Sequence, residues 1–543
     1  MRPRLLSPGI CIAMLAGCAA DPPFHAMNSD PNISQETCRR EIYEPFDTQM
    51  RSYLKIKDDP RFECNGLAKN NTDGKHLADC LKPLVNYRSP TNGGSASPTQ
   101  QACWTTPSEQ HTNYTLFFTE FDDAGWEADL RADPNVETSE IDHVFQQLES
   151  LTKQNKKLDI VVYTHGWHGS SLPDDYYVVL FRALLESLAH LDSNVDPDRQ
   201  VVGIYVGWRG NSWEHPSPAK YLTFWDRKLA AETVSAGAVQ GLFARLHHFY
   251  IDNSCHPSGD ANLSGSSAKC GRVHMLTIGH SYGALINFRS LLGNMEHGLN
   301  VASGKRVYSF GDLVVLLNPA FEGTRYAPLY YSATHRGNFV APGDIRGGQQ
   351  LPAVVTLQSV GDSATGDFFP IFRTFSTPAD HPVGTEKEQN KRTVGWVPAF
   401  QTHRLCLDPQ VSSPNPEMEK SRSFACTPQP GDRCDRGSLQ EDLTCRIGIW
   451  ASPSPNDSKV FSALWPEQKD GGVYMGKGMT LVKEATDGRP PYFPYWNVQV
   501  DKAIMADHDD VWNDLTTQFI LQLYHAVVTQ SEAQARCIRG AKC

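Results

Sequence analysis

The sequence has no run of basic residues. Its 50 Lys and Arg are scattered among 61 Asp and Glu, for a formal charge of −11 over 543 residues. A nucleic-acid partner would demand a basic face, so none is expected. There is no internal repeat. The cysteines lack C-x-x-C spacing with histidines nearby, so no zinc site is expected, and no other metal or cofactor signature stands out. No dedicated lid helix is identifiable.

What is present begins with ordinary globular composition. With 40% hydrophobic and 20% charged residues, the chain can bury a large core, and its length corresponds to about three or four domain-sized units. Residues 1–18 read as a targeting segment. Arg2 and Arg4 precede a short apolar stretch, Ile10 to Leu15, which is too short to span a bilayer permanently. It ends in Leu15-Ala16-Gly17-Cys18, which resembles the bacterial lipobox; the alternative is an ordinary secretory signal cleaved near Ala19 or Ala20. The lipobox implies an acylated Cys18, whose two or three chains would anchor the protein stably to a membrane. Ala19 beside it favours the outer membrane, facing the periplasm or the cell surface.

Cysteine usage fits such an oxidising compartment. Setting aside Cys11 and Cys18, twelve of the fourteen cysteines remain. They fall into even groups: Cys38, Cys64, Cys80 and Cys103; Cys255 and Cys270; Cys406, Cys426, Cys434 and Cys445; Cys537 and Cys543. Disulfides within each group are the expectation.

Residues 19–110 form a polar, cysteine-containing region ending in a linker, Ser89 to Pro98, whose Gly, Ser and Pro content cannot bury a core. From 111 to 375, strand and helix signals alternate. The β-like runs are Tyr114–Phe121, Leu158–Tyr163, Val201–Val206, Val273–Ile278, Asp312–Leu317 and Ala353–Ser359. Helices are expected over Ile141–Leu151, Tyr176–Leu191 and Tyr282–Leu292. A long one should start at Ser217-Pro218, with an apolar stripe through Leu222, Trp225, Leu229, Val234, Ala238, Leu242, Leu246 and Phe249. Strands joined by helical crossovers give an α/β fold, a mainly parallel sheet with helices on both faces. Residues 376–495, rich in Pro, Gly and Cys, read as an insertion or cap stapled by disulfides. The core resumes over 496–530 with the run Trp496–Val500 and a helix Val511–Val528, leaving 531–543 as a tail.

The central motif is Gly279-His280-Ser281-Tyr282-Gly283. By composition, G-x-S-x-G arises by chance in roughly one of four or five such chains, so its context decides. Here a strand leads directly into it and a helix leaves it, the setting of a nucleophile elbow. The turn is sharp enough that side chains two positions either side of Ser281 would collide. The alternative is a serine capping an ordinary helix. A second motif, Thr164-His165-Gly166-Trp167-His168-Gly169, follows the first buried strand. Two backbone N–H donors facing a developing oxyanion are assigned to Tyr282 and Trp167. His165 reads as a brace for that turn rather than as a base.

Together with the later segments, these residues resemble the α/β-hydrolase superfamily, and more narrowly a group of uncharacterised bacterial α/β hydrolases that includes lipoprotein, esterase- or lipase-like members. The resembling stretches are Glu120-Phe121-Asp122-Asp123, Gly207-Trp208-Arg209-Gly210, Thr223 to Lys228 and Asn318-Pro319-Ala320-Phe321-Glu322. They cover about residues 112–375 and 496–525. The superfamily's order implies an acid after the strand that follows Asn318-Pro319. Asp362 stands there, with Asp367 as its near rival. It also implies a histidine base in the loop before the last helix. Of nineteen histidines, His508 occupies that place; His403 lies in the insertion and His525 within the helix. Asp507, Asp509 and Asp510 would raise its proton affinity or cap the helix.

The implied function is a serine hydrolase that cleaves carboxylic esters, small or lipid-like, through an acyl-enzyme, with Ser281, Asp362 and His508 as its triad. Two other readings stay open: a catalytically idle surface lipoprotein that binds through this fold, and an acyltransferase with the same triad.

Overall fold

Uninterrupted apolar strands need cover on both faces, and this requirement organises the molecule. The structure is a computed structural model that describes residues 35–44, 47–48, 103, 107–172, 175–210, 223–254, 271–300, 306–308, 310–337, 339, 350–376, 382–409, 445, 472–484 and 488–538. Among these, eleven strands join in one sheet: β1 Ser108–Gln110, β2 Tyr114–Phe121, β3 Lys157–Thr164, β4 Arg199–Trp208, β5 Val273–His280, β6 Leu313–Leu317, β7 Val354–Ser359, β8 His403–Leu407, β9 Val473–Tyr474, β10 Met479–Lys483 and β11 Tyr495–Val500. Their order is β1-β2-β4-β3-β5-β6-β7-β11-β8-β10-β9. Every pairing from β2 across to β8 is parallel, while β1, β10 and β9 add antiparallel edges. The result is a mixed α/β fold with a mostly parallel sheet.

The longer helices are α1 Glu140–Lys153, α2 Tyr176–Val195, α3 Thr223–Ala236, α4 Val239–Asn253, α5 Tyr282–Leu299, α6 Gly323–Arg336, α7 Phe369–Ser376 and α8 Asp514–Ile538. The period-2 alternation of a strand sorts them onto two faces. Val161 and Tyr163 of β3 join a core with Phe181 and Leu185 of α2 and Phe519 of α8. Ile160 and Val162 join a second core with Val144 of α1, Leu242 of α4 and Leu285 of α5.

One expectation is corrected. The long helix from Ser217-Pro218 is two helices, α3 and α4, and residues 217–218 themselves lie outside the described residues. The chain breaks at Gly237, where a side chain would run into the carbonyl of Gly125, and Ala238 N–H donates to that same carbonyl at 2.7 Å. Within α3, Leu229 of the expected apolar stripe is 63% exposed, while Phe224, Ala231 and Val234 face the core. The last helix starts at Asp514, three residues later than Val511, because Asn513 Oδ1 accepts from Thr516 N–H at 3.0 Å and so acts as its cap.

Within 376–495, β8, β10 and β9 extend the sheet beyond β11, while Glu386–Lys391 forms a short helix. In the N-terminal region, Cys38 is bonded to Cys103 within the first cysteine group. Cys406 and Cys445, both of the third group, are each disulfide-bonded. The segment 1–18 with Cys18, the linker 89–98 and most other cysteines lie outside the described residues. No described helix is long and apolar enough to cross a membrane.

Candidate active site

The chain passes from β3 to β4 on one side and places β5 on the other. Such a reversal leaves a crevice beyond the strands' carboxyl ends. Ser281 stands at that end of β5, and the turn 165–169 stands beside it at the end of β3.

Ser281 has φ 56° and ψ −117°, a conformation that costs an L-residue about 1–3 kcal/mol. Its surroundings hold it there. Its N–H donates to Leu317 O at 2.9 Å and its carbonyl accepts from Ala320 N–H at 3.2 Å. A side chain on Gly279 would come within 2.8 Å of Ala284 Cα, and one on Gly283 would strike the carbonyls of Thr164 and His165. Both elbow glycines are therefore required by close backbone approach.

Ser281 Oγ lies 2.8 Å from His508 Nε2, and His508 Nδ1 lies 2.9 Å from Asp362 Oδ2. With the imidazole neutral, Nδ1–H donates to the carboxylate and Nε2 accepts from the hydroxyl. Burial opposes charge on His508, but the Asp362 carboxylate outweighs it, with help from Asp509 and Asp507, and raises its pKa to about 9. Burial likewise opposes charge on Asp362, yet His508 and the hydroxyl and N–H of Thr365 hold its carboxyl below the usual range. Asp367, five residues on, is exposed in the turn that leads to α7.

The loop carrying His508 is fastened by its own acids: Asp507 Oδ1 accepts from the N–H groups of Asp509 and Asp510 at 3.0 Å, and Asp510 accepts from Ala506 N–H at 2.8 Å. The other late histidines are elsewhere. His403 sits buried on β8, where burial lowers its pKa to about 3. His525 is buried in α8, lowered by burial to about 4.

The turn after β3 is built on His165. Its Nδ1–H donates to Gly166 O at 2.9 Å, its Nε2 accepts from Trp208 N–H at 3.1 Å, and Trp208 Nε1–H returns to its carbonyl at 2.9 Å. Burial lowers its pKa to about 4, so it is a neutral brace. Gly166 lies against Ser281: a side chain there would stand 2.8 Å from the serine Cβ. Trp167 follows directly, and Tyr282 N–H belongs to the first turn of α5, where the helical ladder supplies no acceptor.

The motif residues from four distant segments meet around this edge of the sheet. Arg227 pairs with Asp123 at 3.0 Å and donates to the carbonyl of Arg209 at 3.0 Å. Lys228, on the same helix, meets Glu322 at 2.7 Å.

Sequence reasoning missed several residues that hold the candidate triad. Asn318 Nδ2 donates to the carbonyl oxygens of His508 and Asp507, and its Oδ1 accepts from Ser359 N–H at 2.8 Å. His280 is lowered to about 4 by burial and by His508, and donates through Nε2–H to His508 O at 2.9 Å. Thr365 Oγ1, which donates to Asp362, accepts from Trp396 Nε1–H at 3.0 Å. Gln358 Nε2 lies 3.1 Å from Asp362 Oδ2. The signal available for Asn318 was its place in Asn318-Pro319 at a strand end, and for His280 its place inside the pentapeptide. Among the described residues, His280, His508 and Asp509 form a group with metal-ligand potential. His508 uses both ring nitrogens within the protein and Asp509 Oδ1 accepts from Tyr177 OH, while His280 holds a carbonyl through Nε2 and its buried Nδ1 has no hydrogen-bond partner among the described residues.

Compared with protein-family models, curated proteins and solved structures, the chain matches none.

Proposed function

We propose that the protein is a serine hydrolase of the α/β-hydrolase type that cleaves carboxylic esters through an acyl-enzyme. The observation that carries this reading is the continuous chain Ser281 Oγ, His508 Nε2, His508 Nδ1, Asp362 Oδ2, with steps of 2.8 and 2.9 Å, at the crevice of the sheet. Ser281 Oγ attacks the ester carbonyl as His508 Nε2 takes its proton. The tetrahedral oxyanion is met by the N–H groups of Tyr282 and Trp167, at the positive end of α5. His508 then protonates the leaving alcohol, which departs and leaves the acyl group on Ser281. Water, deprotonated by His508, releases the acid in the second half. Asp362 holds the imidazole's tautomer and stabilises its charge without taking the proton.

The same reading places the protein in a bacterial envelope, lipid-anchored through Cys18; the sequence Leu15-Ala16-Gly17-Cys18 and the disulfides support it. The test of the chemistry is a fluorophosphonate probe followed by peptide mapping, together with hydrolysis of a p-nitrophenyl ester panel. Modification confined to Ser281, and turnover lost in Ser281→Ala, are expected. Turnover that survives Ser281→Ala would refute the mechanism.

A further inference from the structure

Trp167 and Tyr282, the residues on either side of Ser281 in the proposed oxyanion site, turn their rings onto one side chain. Phe224 lies 5.4 Å from the Trp167 ring and 5.2 Å from the Tyr282 ring. Tyr282 OH also donates to the carbonyl of Phe224 at 3.0 Å, which fixes the start of α3 against the nucleophile's neighbour. From Phe224 the aromatic contacts lead outward. Its ring stacks on Phe372 at 5.7 Å and meets Phe369 edge-on at 6.2 Å, and Trp225 leans on Phe369 at 5.9 Å.

This wall does not end at the core. Seven large apolar side chains are exposed among the described residues, and three of them, Leu229, Phe368 and Ile371, lie on α3, on α7 or at the turn into α7. Leu229 stands four residues after Trp225 on α3 and so shares its helix face, and Phe368 closes the turn that leads into Phe369 and Phe372 of α7. The cations of these two helices nearest the wall are engaged with carboxylates. Lys228 meets Glu322 at 2.7 Å and Glu232 at 3.0 Å, and Arg373 meets Glu322 at 3.4 Å. A substrate with an anionic tail would have to compete with Glu322 for them.

We infer that the ester cleaved here carries a bulky apolar chain, which lies along the half-buried rings of Trp167 and Phe372, backed by the buried Phe224, and leaves past Phe368 and Ile371. The inference rests on the ester-hydrolase reading and adds the substrate class to it. The chain belongs to the acyl or to the alcohol half of the ester, and the two halves are separated by experiment. Each methylene buried on such a wall strengthens binding by up to about fourfold.

The test uses the full-length protein and two ester series. One holds p-nitrophenol constant and lengthens the acyl group from acetyl to dodecanoyl; the other holds acetyl constant and lengthens the alcohol. In one series kcat/KM should rise about tenfold or more by the eight-carbon member. Phe372→Ser, and separately the exposed-site variants Ile371→Ser and Phe368→Ser, should cut that gain by about threefold or more. Their turnover of the shortest ester should stay within about twofold of wild type. A flat profile in both series, a preference for a succinyl ester, or variants that keep the full gain would overturn the inference. Fluorophosphonate labelling of Ser281 is run in parallel. A labelled Ser281 with a flat profile removes only the apolar substrate; an unlabelled Ser281 with turnover that survives Ser281→Ala removes the hydrolase reading beneath it.

Discussion

Asn318 Nδ2 stands 2.9 Å from the carbonyl oxygen of His508, so a residue at the end of β6 holds the loop of the candidate base, 190 positions away. Through its Oδ1 it also takes the N–H of Ser359, at the end of the strand that carries Asp362. The same amide thus sets the distance between base and acid. Its φ of 41° is tolerated by asparagine more readily than by most residues. Asn318→Gly accepts that backbone φ and removes the side chain with its amide. It should lower kcat by about a hundredfold with little change in KM, because a small misplacement of the base carries a cost of that size. The pH profile should shift with it. Unchanged kcat and an unchanged profile in a folded variant would reduce Asn318 to a packing role.

Ser281→Ala and His508→Ala should cost kcat about 10⁴-fold or more, and by similar factors, because they act as one unit. Asp362→Asn leaves both reacting groups and should cost about 10²- to 10⁴-fold. Asp367→Asn, exposed and away from His508, should remain within about twofold. If steady-state kinetics rank Asp367 above Asp362, the acid has been misassigned.

The raised pKa of His508, about 9 in the free protein, gives a direction for pH dependence. Only the neutral imidazole accepts the Ser281 proton, so kcat/KM should climb with pH, with an inflection above 6.5 and toward 9. Asp362→Asn removes the main cause of the shift and should move the inflection down. A wild-type inflection at or below 6.5 would contradict the assigned electrostatics.

His111 is buried between the rings of Tyr43 and Tyr114, at 4.7 and 4.1 Å. Burial opposes its charge, yet Asp47 and Glu109, at 2.8 and 3.0 Å from its ring nitrogens, raise its pKa to about 9. A raised histidine pKa stabilises fully below the unfolded value near 6.5, and that contribution is lost as pH climbs through about 9. Hydrogen exchange over residues 35–44 should therefore speed up between pH 7 and 10 beyond the intrinsic base-catalysed rise. His111→Phe should remove that excess. An identical excess in the variant would dissociate the effect from His111.

Cys18→Ser should release the protein from membranes into the soluble envelope fraction, since acylation of Cys18 is the proposed anchor. Retention with the outer membrane in high salt would count against the lipobox. Thiol counting on the unfolded, unreduced mature protein should find close to none.

What the sequence determined by itself was local. The apolar runs from Tyr114 to Phe121 and from Val273 onward read as strands because side-chain composition and burial on both faces act within a few residues. Gly279, Ser281 and Gly283 were legible because a sharp strand-to-helix turn imposes its steric demands on its own neighbours. The arrangement of the candidate triad was legible only as chain order. Asp362 and Asp367 share one strand end, and only the direction of the turn, held by Thr365 and Trp396, brings the first to His508 and leaves the second in solvent. Asn318 and His280 had no signal of their own chemistry, because each acts on the backbone of His508, which reaches them only when β5, β6 and the loop after β11 lie side by side. The break between α3 and α4 was hidden for the same reason. Gly237 stops the helix because Gly125, more than a hundred residues earlier, occupies the space and offers its carbonyl, and periodicity along the chain carries no record of that neighbour.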